Sequence, residues 1–166
     1  MPPRPPLRFA ARLAAAVLLA GCLAAEAGAW QVRNWTGRTI YTDTGAFGGC
    51  RMSVAYDNGI TLHVLQLADF SLLVGMSRPD WTLDPNGAYA IAVAIDGRRV
   101  RSTRGIVLPG LPNAIFVGLG PDRATHDLLR RRHRLTLVNG RQSYDFALTA
   151  SAAGLARLER CVRERG

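Results

Sequence analysis

Three dipeptides constrain the fold of this chain more than any other feature: Asn58-Gly59, Asp96-Gly97 and Asn139-Gly140, each set between two β-prone runs. Asn-Gly and Asp-Gly supply the positive φ angles of a two-residue type I′ turn, whose twist matches that of paired strands. Each therefore predicts a hairpin. Residues 52–56 pair with 60–65 across the first, 89–95 with 98–103 across the second, and 134–138 with 142–148 across the third. Residues 70–76 and 114–119 are further strand-like runs, and 30–35 opens the sheet. Alternation places Tyr89, Ile91, Val93 and Ile95 on one face and Ala90, Ala92 and Ala94 on the other. That pattern predicts a central strand with something packed closely on its alanine side. Tyr144, Phe146 and Leu148 point inward from a half-exposed strand.

Two helices complete the reading. Residues 121–132 begin Pro-Asp, place Ala124, Leu128 and Leu129 on one side, and end in Arg130–Arg132, where cations complement the helix dipole. Asp122 and Asp127 read as its N-terminal acids. Residues 151–165 carry an apolar stripe of Leu155, Leu158 and Cys161 or Val162, with Thr149 or Ser151 as the cap. The fold class is mainly β: an antiparallel β-sandwich or barrel built from hairpins, with one short internal helix and a C-terminal helix.

The first 29 residues read as an export leader. Arg4, Arg8 and Arg12 precede an apolar run over 13–25 that is too short to span a bilayer. Two processing sites compete. Ala27-Gly28-Ala29 is a small-x-small site that releases a chain starting at Trp30, whereas Leu19-Ala20-Gly21-Cys22 resembles a lipobox, cleaved before Cys22 with lipid added to its thiol. Both remain open, and with them a periplasmic or a lipid-anchored location. The remaining 137 residues, 30–166, suffice for a single β-rich domain.

Export separates the three cysteines. Cys22 is discarded or lipidated, which leaves Cys50 and Cys161 as an even pair in an oxidising compartment. With no CxxC motif and no histidine at ligand spacing, a structural disulfide is expected. The net charge is +9, of which the leader's three Arg and one Glu leave +7 on the rest. Such a balance favours acidic partners. Export excludes genomic nucleic acid, and the basic residues, all Arg and no Lys, carry the stamp of a GC-rich genome.

No catalytic signature is complete. Ser53, His63 and Asp57 share one hairpin, but there is no nucleophile elbow, and His63 reads as a half-exposed strand residue. His126 and His133, seven residues apart, make half a metal site at best. Asp80 and Asp84 sit in a turn around Trp81, and Gly118-Leu-Gly120-Pro121 lacks the donors of a phosphate loop. No cofactor is expected. What remains is Arg99 and Arg101 after the second turn, and Arg130, Arg131, Arg132 and Arg134 after the first helix, which together form a candidate anion-binding face. The competing reading is a charged edge that discourages aggregation.

Gly49-Cys50, residues 56–62, Trp81-Thr-Leu83, the run from Tyr89 to Gly97, and Phe146-Ala-Leu148 before a Leu-rich helix with Cys161 resemble small exported domains of alphaproteobacteria. Such domains stand alone or beside trypsin-like peptidase domains, and are loosely similar to invasion-associated locus B proteins. The resemblance rests on turns, core aromatics and cysteines, and transfers no functional residue. It implies an envelope role rather than catalysis, and with the Arg-rich edge the first expectation is a non-enzymatic binding or interaction module meeting an anionic surface or another envelope protein. The alternatives are an envelope hydrolase with an unrecognised site, and an accessory or inhibitor of a secreted trypsin-like protease.

Overall fold

Each of the three signalled turns closes a hairpin in the computed structural model, which describes residues 28–121 and 123–165. The leader with Cys22, and Asp122, lie outside the described residues. The elements run β1 (Trp30–Val32), β2 (Trp35–Tyr41), β3 (Phe47–Ala55), β4 (Thr61–Leu67), β5 (Leu72–Ser77), β6 (Tyr89–Ile95), β7 (Arg98–Gly105), β8 (Ala114–Gly120), α1 (Arg123–Arg131), β9 (Arg134–Asn139), β10 (Gln142–Ala147) and α2 (Ser151–Arg165). The strands form two antiparallel sheets, one of six in the order β1-β2-β3-β4-β5-β8 and one of four in the order β10-β9-β6-β7. The architecture is thus a sandwich and not a closed barrel.

The turns differ in kind. Only Asp96 and Gly97 both take positive φ (46° and 78°), as a type I′ turn requires. Between β3 and β4 Gly59 alone is left-handed, with Tyr56 accepting from Gly59 and donating to Ile60, so the loop holds three residues and closes on a glycine. At the third hairpin Asn139 is still in the strand, opposite Gln142, and Gly140 with φ 60° occupies the first turn position. That is the position where a type II′ turn takes glycine. The opening strand predicted over 30–35 is also two strands, folded back at Arg33 with φ 54°.

One core joins the sheets. Trp35, Met52, Leu62, Val74 and Met76 from the larger sheet meet Ile91, Val93, Leu135, Leu137 and Phe146 from the smaller, with Leu129 of α1 and Leu155, Leu158 and Val162 of α2. Tyr56 adds a tie: its hydroxyl donates to the Ala147 carbonyl at 2.7 Å, and its ring meets Phe146 edge-on at 5.3 Å. The alanine side of β6 does not carry the packed layer that its small residues suggest. Ala90 is exposed, Ala92 and Ala94 are half-buried, and Ala90 and Ala92 floor an open hollow beside Ser102, Arg104 and Val138.

Helix α2 lies chiefly along β3 and also touches β4, β2 and β1. Cys50 and Cys161 are bonded, with Cα atoms 6.2 Å apart and 111 residues of separation, which fastens α2 to the middle of the six-stranded sheet. Gly154 permits the close approach, since a Cβ there would lie 2.9 Å from Met52 Sδ and 3.3 Å from Trp35 Cγ. Ser151 does not act as the expected cap. Its hydroxyl donates instead to the Leu129 carbonyl at 2.9 Å, near the end of α1, and so joins the two helices. Asp127 is mid-helix and faces Arg131 one turn on.

Gly75 shows how the opposite face of the large sheet is shaped. It stands between His63 and Phe116 in register, and the missing side chain lets those two rings meet over it at 5.8 Å. A Cβ at Gly75 would press on the Phe116 ring and on the Ile115 carbonyl oxygen at 2.6 Å. Gly75→Ala is therefore expected to destabilise by roughly 1–3 kcal/mol, the usual cost of overpacking, measurable as a lowered midpoint in urea. An unchanged midpoint would show that the two rings move apart freely.

Candidate functional site

The strand period that builds the core also builds a second surface. Cys50, Met52 and Val54 of β3 turn inward, which leaves Arg51 and Ser53 on the outer face. On β2, Trp35 turns inward and Thr36 and Arg38 outward. Across β4, β5 and β8 the same face carries His63, Leu65, Leu73, Gly75, Ser77, Ala114 and Phe116.

This face is half covered. Residues 106–113 fold over its β5–β8 side, where Ile106 and Phe116 exchange backbone hydrogen bonds at 2.8 Å each. Leu108 and Leu111 then pack on Leu65, Leu73, Ala114 and Phe116 as a satellite apolar cluster. The β1–β3 side is open. A hollow of about 540 Å³ is lined there by Trp30, Gln31, Thr36, Arg38, Arg51 and Ser53. A second, of about 450 Å³, shares Arg38 and Arg51 and runs toward Tyr41, Asp43 and Leu111.

Arg38 and Arg51 stand directly opposite each other in the β2–β3 ladder. Like charges in that position repel. Among the described residues no carboxylate lies within ion-pairing distance of either, and neither guanidinium has a hydrogen-bond partner. Burial, and then the proximity of Arg38, pushes the Arg51 guanidinium below its ordinary pKa. One register step along, Thr36 is opposite Ser53, and their hydroxyls lie 3.4 Å apart.

His63 is next in that row, opposite Ser53. It is 6% exposed, not half-exposed as its alternation suggested, with the Phe116 ring and Ser77 against it. Its Nε2 pairs with Ser77 Oγ at 2.8 Å, and Nδ1 has no partner among the described residues. The hairpin triad that the sequence allows does not form: Ser53 bonds to Thr36, and His63 turns to Ser77. Burial, helped by Arg51 and Arg38, lowers the His63 pKa to about 3.

That shift has a sign. The unfolded chain takes up a proton near pH 6.5, while the folded chain refuses it down to about pH 3. Stability therefore falls as pH drops through this window, by about 1.4 kcal/mol per pH unit for one proton, and is insensitive to His63 above it. His63→Asn is expected to flatten the dependence between pH 6.5 and 4 in denaturant titrations. An equally steep variant would place the acid sensitivity elsewhere.

The arginines singled out from the sequence are dispersed over three elements. Arg99 and Arg101 lie on β7, an edge strand, where a bulge sets them opposite Ala94 and Val93, consecutive residues of β6. Their simple alternation is thereby broken. Arg130 is ion-paired with Glu159 of α2, which also holds Arg163 at 3.1 Å. Arg131 faces Asp127 and Arg132 faces Asp96, each at 3.9 Å, and Arg134 is exposed at the start of β9. His126 sits on α1, while His133 follows it and donates its backbone N–H to Asp96. Asp80 pairs with Arg78, and Asp84 accepts from the Asn86 amide within its own turn. Among the described residues no cluster of His, Cys, Asp or Glu is suited to a metal ion, and no helix is long and apolar enough to cross a membrane.

Arg38 and Arg51 escaped the sequence reading because β2 was not recognised: the turn that ends it, Thr42–Ala46, carries no two-residue glycine signal. The alternation Cys50-Arg51-Met52-Ser53-Val54 was the available clue.

No family model matches the sequence, and no curated protein is significantly similar to it. Among solved structures, the chain is similar to the crystal structure of invasion associated protein B from Bartonella henselae. The TM-score is 0.55 at 15% identity, over 83% of this chain and 99% of that one. The two chains share a fold. The likeness to invasion-associated locus B proteins read from turns and core residues therefore extends to the arrangement of the backbone.

Proposed function

We propose that this chain is an exported, non-enzymatic binding domain of the cell envelope. Residues 1–29 act as the export leader, and the domain remains in the periplasm or is held at the membrane through lipid on Cys22. The observation that carries the binding role is the uncovered half of the six-stranded sheet, where Arg38 and Arg51 stand opposite each other in the β2–β3 ladder, line one hollow and have no carboxylate partner among the described residues. Such an arrangement adds nothing to stability by itself, and an anionic partner removes its cost. The Cys50–Cys161 bond supports an oxidising compartment, and the fold shared with an invasion associated protein agrees with an envelope setting.

Expression with the native leader, followed by fractionation and intact mass of the recovered protein, tests the location. A mass starting at Trp30, or at a lipid-bearing Cys22, is expected; an uncleaved chain in the cytoplasm overturns the reading.

A hydrolase is the second reading, and its support is the His63–Ser77 hydrogen bond. Ser77 is 8% exposed and His63 Nδ1 meets no orienting carboxylate among the described residues, whereas nucleophilic serine catalysis uses both access and orientation. Turnover of generic ester or glycoside substrates, lost in Ser77→Ala, would favour it over the binding role.

A further inference from the structure

We infer that the hollow over β2 and β3 is a binding site for a dianionic tetrahedral oxyanion, the phosphoryl group of a phosphate monoester, held by Arg38 and Arg51 with Thr36 and Ser53. This rests on the reading of the chain as a binding domain and names the ligand chemistry of that surface.

The donor set is the first argument. Arg38 and Arg51 are cross-strand neighbours, Thr36 and Ser53 are the next pair along the same face, and all four line one hollow. Two guanidinium forks and two hydroxyls converge on a space that offers no competing carboxylate among the residues lining it. A carboxylate ligand is satisfied by one bidentate arginine. Two opposed forks with hydroxyls beside them match a group with two charges and three terminal oxygens.

Charge is the second. His63, adjoining Ser53 in register, is buried and neutral, hydrogen-bonded to Ser77. The groups facing the hollow thus carry two positive charges from the arginines and none from the imidazole. Asp43 borders only the adjoining hollow, on its far side from Thr36 and Ser53, and makes no ion pair with either arginine.

Size is the third. A hollow of about 540 Å³ takes a phosphate together with a glycerol or sugar, within the range of small-ligand sites. Gln31 of β1 also borders it, whereas the indole of Trp30 lies over Gly37 on the α2 side of the sheet, in a cation–π contact with Arg157 at 5.6 Å from the ring centroid.

The test uses the full chain, purified as the cell processes it, with sn-glycerol 3-phosphate in calorimetry and vesicles of phosphatidic acid or phosphatidylcholine in flotation. Saturable binding of the soluble ester is expected, weakened by salt, and reduced roughly ten- to hundredfold in Arg38→Gln and in Arg51→Gln. Arg51→Lys is expected to recover only part of the loss, because the ammonium lacks the fork. The melting temperature of ligand-free Arg51→Gln should equal or exceed that of the native chain, since a repulsion is relieved; this separates loss of binding from loss of fold. Co-flotation with phosphatidic acid vesicles, but not phosphatidylcholine, assigns the phosphate to a lipid headgroup, whereas soluble binding alone assigns it to a free ester. Failure of the native chain to bind either phosphate monoester, or undiminished binding by the Arg38→Gln/Arg51→Gln chain, overturns the inference. Binding by a chain that fractionation finds in the cytoplasm would instead leave the site standing and overturn the envelope role.

Discussion

Replacing Cys50 and Cys161 together by alanine is expected to lower the unfolding free energy by about 4–5 kcal/mol. The separation of 111 residues sets that scale, since closing a loop of this length in the unfolded chain removes about that much entropy in the chain-entropy model. Most domains hold only 5–15 kcal/mol in total, so the variant approaches its unfolding limit at body temperature. Urea titration of three samples measures the effect: native oxidised, native reduced and double alanine. The two bridge-free samples should agree closely, because Cys50 and Cys161 are buried small residues whose packing changes little. A loss below about 1 kcal/mol would mean that the unfolded chain keeps β3 near α2 without the bond.

Trp35→Ala should cost nearly as much. The side chain is fully buried, its ring abuts Gly154 on α2, and its Nε1 donates to the Thr149 carbonyl at 3.0 Å. Truncating a buried Trp costs about 3–5 kcal/mol, and the Thr149 carbonyl is left without its donor. Trp35→Phe divides the two parts. It keeps most of the apolar volume and loses the hydrogen bond, so about 1–2 kcal/mol is expected from the bond alone. Near-equal losses in the two variants would show that the hydrogen bond to the segment entering α2, rather than ring packing, dominates at this position.

The parts of the fold legible in the sequence are those written locally. Asp96-Gly97 and the flanking alternation specify the β6–β7 hairpin down to its turn type. The stripe of Leu155, Leu158 and Cys161 gives α2 its observed bounds and its partner. What escaped depends on contacts between distant segments. Arg33 takes a left-handed turn with no glycine to announce it, so β1 and β2 looked like one short strand. His63 looked half-exposed because nothing nearby in sequence reveals that Ser77 of β5 and the Phe116 ring of β8 close against it. The arginines were misweighted for the same reason. Runs such as Arg130–Arg132 stand out in a sequence, yet Glu159, Asp127 and Asp96 sit beside them. Arg38 and Arg51 are isolated in sequence and adjacent only in the ladder.

The bond between β3 and α2 also changes what a broken backbone means for this protein. The segment over the outer face presents Pro109 and Gly110 to solvent, the kind of loop tip where proteases cut. Cys50 lies before such a cut and Cys161 after it. Scission there yields two polypeptides but still one molecule, with its halves tethered at the centre of the larger sheet. A single cut in the stretch between the two half-cystines detaches nothing until the bond itself is reduced, so in an oxidising, protease-rich setting the domain keeps both halves together after the chain is severed.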